Sequence, residues 1–240
     1  MDKFINDLYQ VFVYDNNYLY FVRGIRVTLL VTVLSLILGL VIGVVVAIIR
    51  ASHDLQSPNH MNPVLGFFNI ICKIYLTVIR GTPTMVQLLI MWFVVFASAR
   101  STDANLIRSA VLAFGINSGA YIAEIVRSGI MSIEKGQMEA GRSLGLTYVS
   151  TMKSVIIPQA FKNILPALGN EFITLLKETS IVTVIGLKDL TKGAMIIQGN
   201  TYQALVPFLA IALIYLALVM IIVKIMGVIE RRLRVSDKQL

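Results

Sequence analysis

From Val27 to Ile49 the chain runs for 23 residues without a charged side chain. A helix rising ~1.5 Å per residue needs about 20 apolar residues to cross the ~30 Å hydrocarbon core of a bilayer. Gly81 to Ala99 and Ala204 to Val223 are charge-free as well. The bias extends to the whole 240-residue chain, which is 57% hydrophobic and 14% charged, with a mean hydropathy of +0.79. A water-soluble domain of this length has too little interior to hide so much apolar surface. Two further segments read as spans despite internal charges. Ser109 to Ser128 contains Glu124 and Arg127, and Asn163 to Leu187 contains Glu171, Lys177 and Glu178. In hydrocarbon every backbone polar group must be satisfied internally, so the expected class is an all-α membrane protein of about five transmembrane helices.

The net charge of +8 would mark a soluble protein as a candidate for nucleic acid. In a membrane protein it reports the excess of basic residues on the cytoplasmic side. With the N-terminus outside, the inner segments hold Arg50, Lys73, Arg80, Arg127, Lys135, Arg142, Lys153, Lys162, Lys224, Arg231, Arg232, Arg234 and Lys238. The outer segments hold Lys3, Arg23, Arg26, Arg100, Arg108, Lys188 and Lys192. Thirteen against seven, with Lys177 set aside inside a span, predicts N-terminus out and C-terminus in. Met1 to Asp15 carries three acids against Lys3. That is not the basic start of a cleaved signal peptide, so the first span reads as retained. Cys72 is the single cysteine, which excludes an intrachain disulfide and reads as a small buried hydrophobe.

Residues 1–23 read as an extracytoplasmic N-terminal segment, 24–232 as one transmembrane domain, and 233–240 as a cytoplasmic tail. On the first span Ser35, Gly39, Gly43 and Ala47 recur at every fourth position. Such a ladder permits close helix contact, either within one chain or across a dimer. Arg50 to Pro63 reads as a polar turn. Val64 to Ile79 reads as an interfacial or entering helix broken near Pro83. Five spans cannot divide into two equal halves, which argues against a single-chain transporter built from inverted repeats. A unit this small is completed as a solute path by a second copy or a close relative.

His53 and His60 lie seven apart, whereas zinc ligands on a helix sit three or four apart, so both read as solvated loop residues. No phosphate-cradling Gly-rich loop occurs, so ATP hydrolysis is not expected of this chain. The ionisable residues within spans carry more information, because such groups usually face a cavity or a partner. Asn117, Tyr121, Glu124 and Ser128 fall at i, i+4, i+7 and i+11, on one helical face. Glu124 reads equally as a contact for a solute ammonium or as half of an internal ion pair, with Arg127 or Lys177. Arg127 sits near the inner boundary and reads as snorkelling. Glu171, Thr174 and Glu178 share a face of the fourth span. Lys177 stands beside them in Leu175-Leu176-Lys177-Glu178-Thr179-Ser180. These residues line a pathway, meet a second subunit, or hold the bundle together.

Residues 129–160 form a polar, basic loop between apolar spans. Glu139 to Ser143 suits a short helix, and Gly145 just beyond it suits the left-handed turn that ends one. Thr147 suits the cap of a second short helix, bounded by Pro158. A compact helix-turn-helix plug at the membrane surface follows. Glu139-Ala140-Gly141, three residues, Gly145, nine residues and Val155 to Pro158 together resemble the cytoplasmic "EAA" loop of permease subunits of binding-protein-dependent ABC importers. In that pattern Gly141 replaces the second Ala, Val155 the Ile and Ile157 the Leu. Three further motifs extend the resemblance from about Gly24 to Arg232. They are Arg80-Gly81-Thr82-Pro83 with Val86-Gln87, Gly119 to Arg127, and Leu175 to Ser180. They point to the polar amino-acid branch, similar to histidine, glutamine and cystine permeases.

The resemblance implies the type I importer permease fold in a bacterial cytoplasmic membrane. It implies two ATPase subunits that bind ATP and Mg, a second permease copy or homologue, an extracytoplasmic solute-binding protein, and alternating access to a polar amino acid. It assigns Glu139, Ala140, Gly141, Arg142, Gly145 and Pro158 to the contact with the ATPase. A channel or secondary transporter would use the same intramembrane charges without an ATPase. A membrane scaffold would need none of them.

Overall fold

A computed structural model describes residues 2–56 and 62–235. Among them every element is helical. Helix α1 covers Asp2–Phe12, α2 Tyr18–Asp54, α3 Pro63–Gly81, α4 Thr84–Ile90, α5 Asp103–Met131, α6 Lys135–Ser143, α7 Tyr148–Thr151, α8 Ile157–Glu178, α9 Leu190–Thr201 and α10 Leu205–Val235. His60 and the end of the tail, residues 236–240, lie outside the described residues.

Four of these helices are long and apolar enough to cross a membrane: α2, α3, α5 and α10. The reading of about five spans is drawn differently at two places. The stretch read as an interfacial helix is α3, 19 residues long and started by Asn62, whose side chain accepts the Val64 and Leu65 amides. The expected break follows it: Thr82 and Pro83 are extended, and the chain restarts as α4. From Thr84 the helical path is short, because α4 passes into a wide π turn at Met91–Val95. Those residues rise only ~18 Å, well under a bilayer core. The fourth expected span is α8 followed by a 3-10 stretch, Thr179–Ile185, that ends on Gly186. Its internal charges keep it below the hydropathy of the other four. The polar turn read from Arg50 begins late, since α2 continues to Asp54. His53 therefore lies on a helix rather than in a solvated loop.

The residues group into two compact units. One comprises Met1–Leu36, Pro83–Gly115 and Ile173–Ile222. Its core gathers Val31, Leu88, Ala110, Phe114, Leu175 and Val182. A neighbouring cluster is built on Val11, Phe21, Leu190, Ala194 and Ile197. Val11 brings α1 against α9, and Gln203 fastens it by donating to Asp7 (2.7 Å) and Gln10 (3.1 Å). Asp189 is fully buried at the start of α9, where its carboxylate accepts the Thr191 and Lys192 amides.

The other unit comprises Ile37–Thr82, Ile116–Phe172 and Val223–Leu240. Val46, Cys72, Leu76, Ala120 and Ala123 form its core. The expected burial of Cys72 holds. Within this unit the small-residue ladder serves the chain itself: a Cβ on Gly43 would lie 2.6 Å from Ile122 on α5. Gly39 and Ala47 are buried too, as is Ser35 in the first unit. Apolar residues such as Val41, Phe67 and Met220 are more than half exposed, as suits surfaces facing lipid or a partner subunit.

Candidate functional site: the surface plug and the charged residues within the spans

The plug forms from sequence signals that are mostly local. Helix α6 ends at Ser143 with Leu144 as its C-cap, and Gly145 takes φ +83°. The Gly145 amide bonds to the Arg142 carbonyl (3.0 Å) and the Leu146 amide to the Gly141 carbonyl (3.1 Å). This pair of bonds is the Schellman closure, which satisfies carbonyls left over at a helix end. Thr147 then caps α7 by accepting the Ser150 amide at 3.2 Å. Gly141 is buried, with Thr151 so near that an added Cβ would lie 2.5 Å from its Cγ2.

Pro158 does not bound the second helix. The path continues from α7 through a π turn, Met152–Ile156, directly into α8. A proline has no N–H for the preceding turn, which normally breaks or kinks a helix. Here the wide turn lies immediately before it and absorbs the mismatch. The plug is therefore a short helix hinged to the first turns of a long one. Glu139, Ala140, Arg142 and Gly145 are exposed on it. Leu144 and Val149, 82% and 71% exposed, are apolar residues at its tip.

The charges within the spans fall into separate clusters. Glu124 accepts Arg50 on one carboxylate oxygen and Arg127 on the other, the latter through Nε (3.2 Å) and Nη2 (3.1 Å). Arg127 also reaches Asp54 at 3.0 Å. The ion-pair alternative to a solute role for Glu124 thus has Arg127 as one partner. Arg50, which sequence reasoning left at the membrane edge, is the other. Arg127 does more than snorkel, because two carboxylates hold it. Beside this network a cavity of about 390 Å³ is lined by Arg50, Lys73, Arg80 and Glu124, with Thr77 and Gly81. Arg80 stands 5.5 Å from the centre of the Tyr121 ring, a cation-π geometry. Three cations against one acid, itself held by two arginines, favour the anionic end of an occupant.

Glu171 accepts a 2.6 Å hydrogen bond from Ser118, which is wholly buried, and Asn117 is buried next to it in the chain. In the first unit, Glu178 accepts the Thr84 hydroxyl. Thr174 and Lys177 are exposed. Within the second unit, Glu124 has Arg50 and Arg127 among its partners and Glu171 has Ser118. Sequence reasoning missed Ser118, Thr84, Asp54 and Thr151, polar residues with no pattern of their own. Among the described residues no cluster of His, Cys, Asp and Glu could hold a metal ion.

Long apolar helices joined by a short, exposed helical plug define a polytopic membrane protein. The chain belongs to the family of binding-protein-dependent transport system inner membrane components, whose model matches residues 62–235. Members of that family work alongside a solute-binding protein and an ATPase. The chain is 42% identical over 186 residues to the arginine transport system permease protein ArtQ of Bacillus subtilis (strain 168), covering 72% of this chain and 84% of that one. It is 40% identical over 168 residues to the glutamine transport system permease protein GlnP of Escherichia coli (strain K12), covering 70% and 76%. Among solved structures, an amino acid ABC transporter crystallised with histidines matches with a TM-score of 0.77 at 41% identity, over 89% of this chain and 94% of that one. The MetNI methionine ABC transporter in an inward-facing form matches at 0.74 and 19% identity, which speaks to the fold alone.

Proposed function

We propose that this chain is the translocating subunit of an ABC importer for a polar amino acid, and that it hydrolyses no ATP itself. One of two ATPase subunits docks on the α6–α7 plug, those subunits bind ATP and Mg, and a second copy or a homologous permease completes the path and receives the other. The N-terminus is outside and the C-terminus inside, as the basic-residue count favours. Residues 1–23, 24–232 and 233–240 serve as outer segment, permease domain and inner tail. The observation that carries this reading is the plug itself. Its backbone is locked by the Schellman closure and the Thr147 cap, while Glu139, Arg142, Leu144 and Val149 stay exposed. A linker would need no such order. The names of the relatives at 40% identity and above support amino acids as the solute class.

Asn117, Tyr121, Glu124, Glu171, Thr174, Lys177 and Glu178 remain the solute-path candidates, with Lys73 and Arg80 added by the cavity. There the cations suit an amino acid's carboxylate, and an ammonium approaching Glu124 must compete with two arginines. The reading is tested by purifying the chain with its ATPase and measuring uptake of a panel of labelled amino acids into proteoliposomes. ATP-dependent uptake of a polar amino acid is expected. Uptake that follows a proton gradient without ATP would replace this reading with a secondary transporter.

A further inference from the structure

A second cavity, of about 520 Å³, opens beside the base of the plug, in the same unit as the Glu124 network. One wall is the start of α8, with Gln159, Lys162 and Asn163, and another is the end of α10, with Glu230 and Leu233; Ile133 closes a third side. Lys162 and Glu230 are both half-buried, and they face the cavity from different helices with opposite charge. Among the described residues Glu230 makes no hydrogen bond or ion pair. A half-buried carboxylate without a protein partner gains by meeting a cation.

The two amides are held in place. Gln159 donates to the Val155 carbonyl at 3.0 Å, and Asn163 donates to Ser132 at 3.0 Å. Each keeps its own amide oxygen as an acceptor for N–H donors. The volume lies within the ~300–1,000 Å³ typical of small-molecule sites. Apolar side chains from Ile133 and Leu233 leave room for a short hydrocarbon stem.

We propose that this cavity binds a small zwitterion, with its anionic group toward Lys162 and its ammonium toward Glu230 and the amide oxygens. Two sources share that chemistry: a free amino acid, or the ethanolamine phosphate headgroup of a membrane lipid. Either occupant ties the end of α10 to the helix that carries the plug, and so sets how freely the plug tilts. That consequence for transport rests on the importer reading, whereas the binding site does not.

The test uses the permease with its ATPase partner in nanodiscs of phosphatidylglycerol alone. Labelled glutamine is titrated in one arm. In the other, phosphatidylethanolamine is added and retained lipid is counted by native mass spectrometry. Saturable binding of one of the two is expected. Lys162→Gln and Glu230→Gln should each weaken it about tenfold. Lys224→Gln, exposed elsewhere on α10, should leave it unchanged. The exchange K162E/E230K should recover part of the loss, which a folding defect in either single variant would not do. The arm that binds identifies the source. Binding in neither arm at millimolar ligand, or binding that survives both single variants, overturns the site. Uptake is measured on the same complexes, so failure of the importer reading shows there while charge-dependent binding still stands.

Discussion

Gly141 on α6 and Thr151 on α7 are packed so closely that glycine is the residue that fits: a Cβ would stand 2.5 Å from Thr151 Cγ2 and 2.9 Å from Oγ1. Thr151 has little room to yield, because it is buried and its hydroxyl donates to the Thr147 carbonyl at 3.0 Å. Gly141→Ala should thus overpack the plug and cost about 1–3 kcal/mol. The double variant Gly141→Ala/Thr151→Ser removes the opposing methyl and should regain most of that. The check is the amount of ATPase retained on the purified permease. Equal retention by wild type and Gly141→Ala would mean that the plug adjusts freely.

Gly145 poses a backbone problem instead. Its φ of +83° disfavours any β-branched residue, while nothing stands within 4 Å of the position a Cβ would take. Gly145→Val should therefore cost about 1–3 kcal/mol through strain, and Gly145→Asn much less. Together with Glu139→Lys, which reverses an exposed charge, Gly145→Val should leave the protein in the membrane but lower transport per ATP hydrolysed. Wild-type coupling in both would make the loop a tether.

The Glu124 network predicts non-additive losses. Glu124→Gln strips charge from a carboxylate shared by Arg50 and Arg127, and should lower stability by about 2–5 kcal/mol. Arg50→Gln should cost less than this, and the double variant less than the sum of the two. Thermal unfolding of the detergent-solubilised complex checks this. If stability is unchanged while uptake falls, Glu124 acts on the solute and its ion pairs are incidental.

Asp189 gives a prediction about pH. Burial pushes its carboxyl above the ordinary 3.8, opposed by hydrogen bonds from the Lys192 and Thr191 amides and the Thr191 hydroxyl. The folded state then holds this proton more tightly than the unfolded state. Its contribution to stability is fully present below about pH 3.8 and is lost as pH rises through the folded value. Asp189→Asn keeps a capping oxygen and removes the titration, so it should flatten that dependence with no loss at neutral pH. Asp189→Ala should cost about 1 kcal/mol. Melting temperatures across the acid range decide.

Orientation can be read chemically. Cys72 is buried, so a water-soluble maleimide should report only introduced thiols. A cysteine near Lys135 should react from the cytoplasmic side and one near Lys192 from outside. Labelling of both from the same side would sink the assigned topology.

Signals that lie within one turn of helix were the legible ones. Gly145, Thr147 and the Pro83 break are written in adjacent residues, and the structure places them as read. Composition over twenty residues exposed the spans. Pro158 misled, because whether a helix ends at a proline depends on what the preceding turn does, and a π turn leaves no compositional mark. Arg50 does not show itself in the sequence as Glu124's partner, because Val27 to Ile49 already suffices to span and the polar stretch from Arg50 reads as a turn, although Arg50 and Asp54 stand four apart on one further turn of α2. The span boundaries differ for a related reason. Hydropathy alone separates α3, with one lysine in its middle, from a surface helix only weakly. Ser118 and Thr151 carry no periodicity at all, and their roles exist only once two helices meet.

The unbroken path from Tyr148 to Phe172 also has a mechanical meaning. Those 25 residues, about 37 Å if wholly α-helical, make a single axle with the plug's tip at one end and Glu171 near the other. A force on Val149 enters a continuous helical path in which two places depart from the regular α-helical ladder, the wide turn at Met152–Ile156 and Pro166 inside α8. Those are the places where twist can accumulate before it is handed on. What reaches Glu171 is then a rotation of the whole shaft, and the 2.6 Å bond to Ser118 is the catch that such a rotation would have to release.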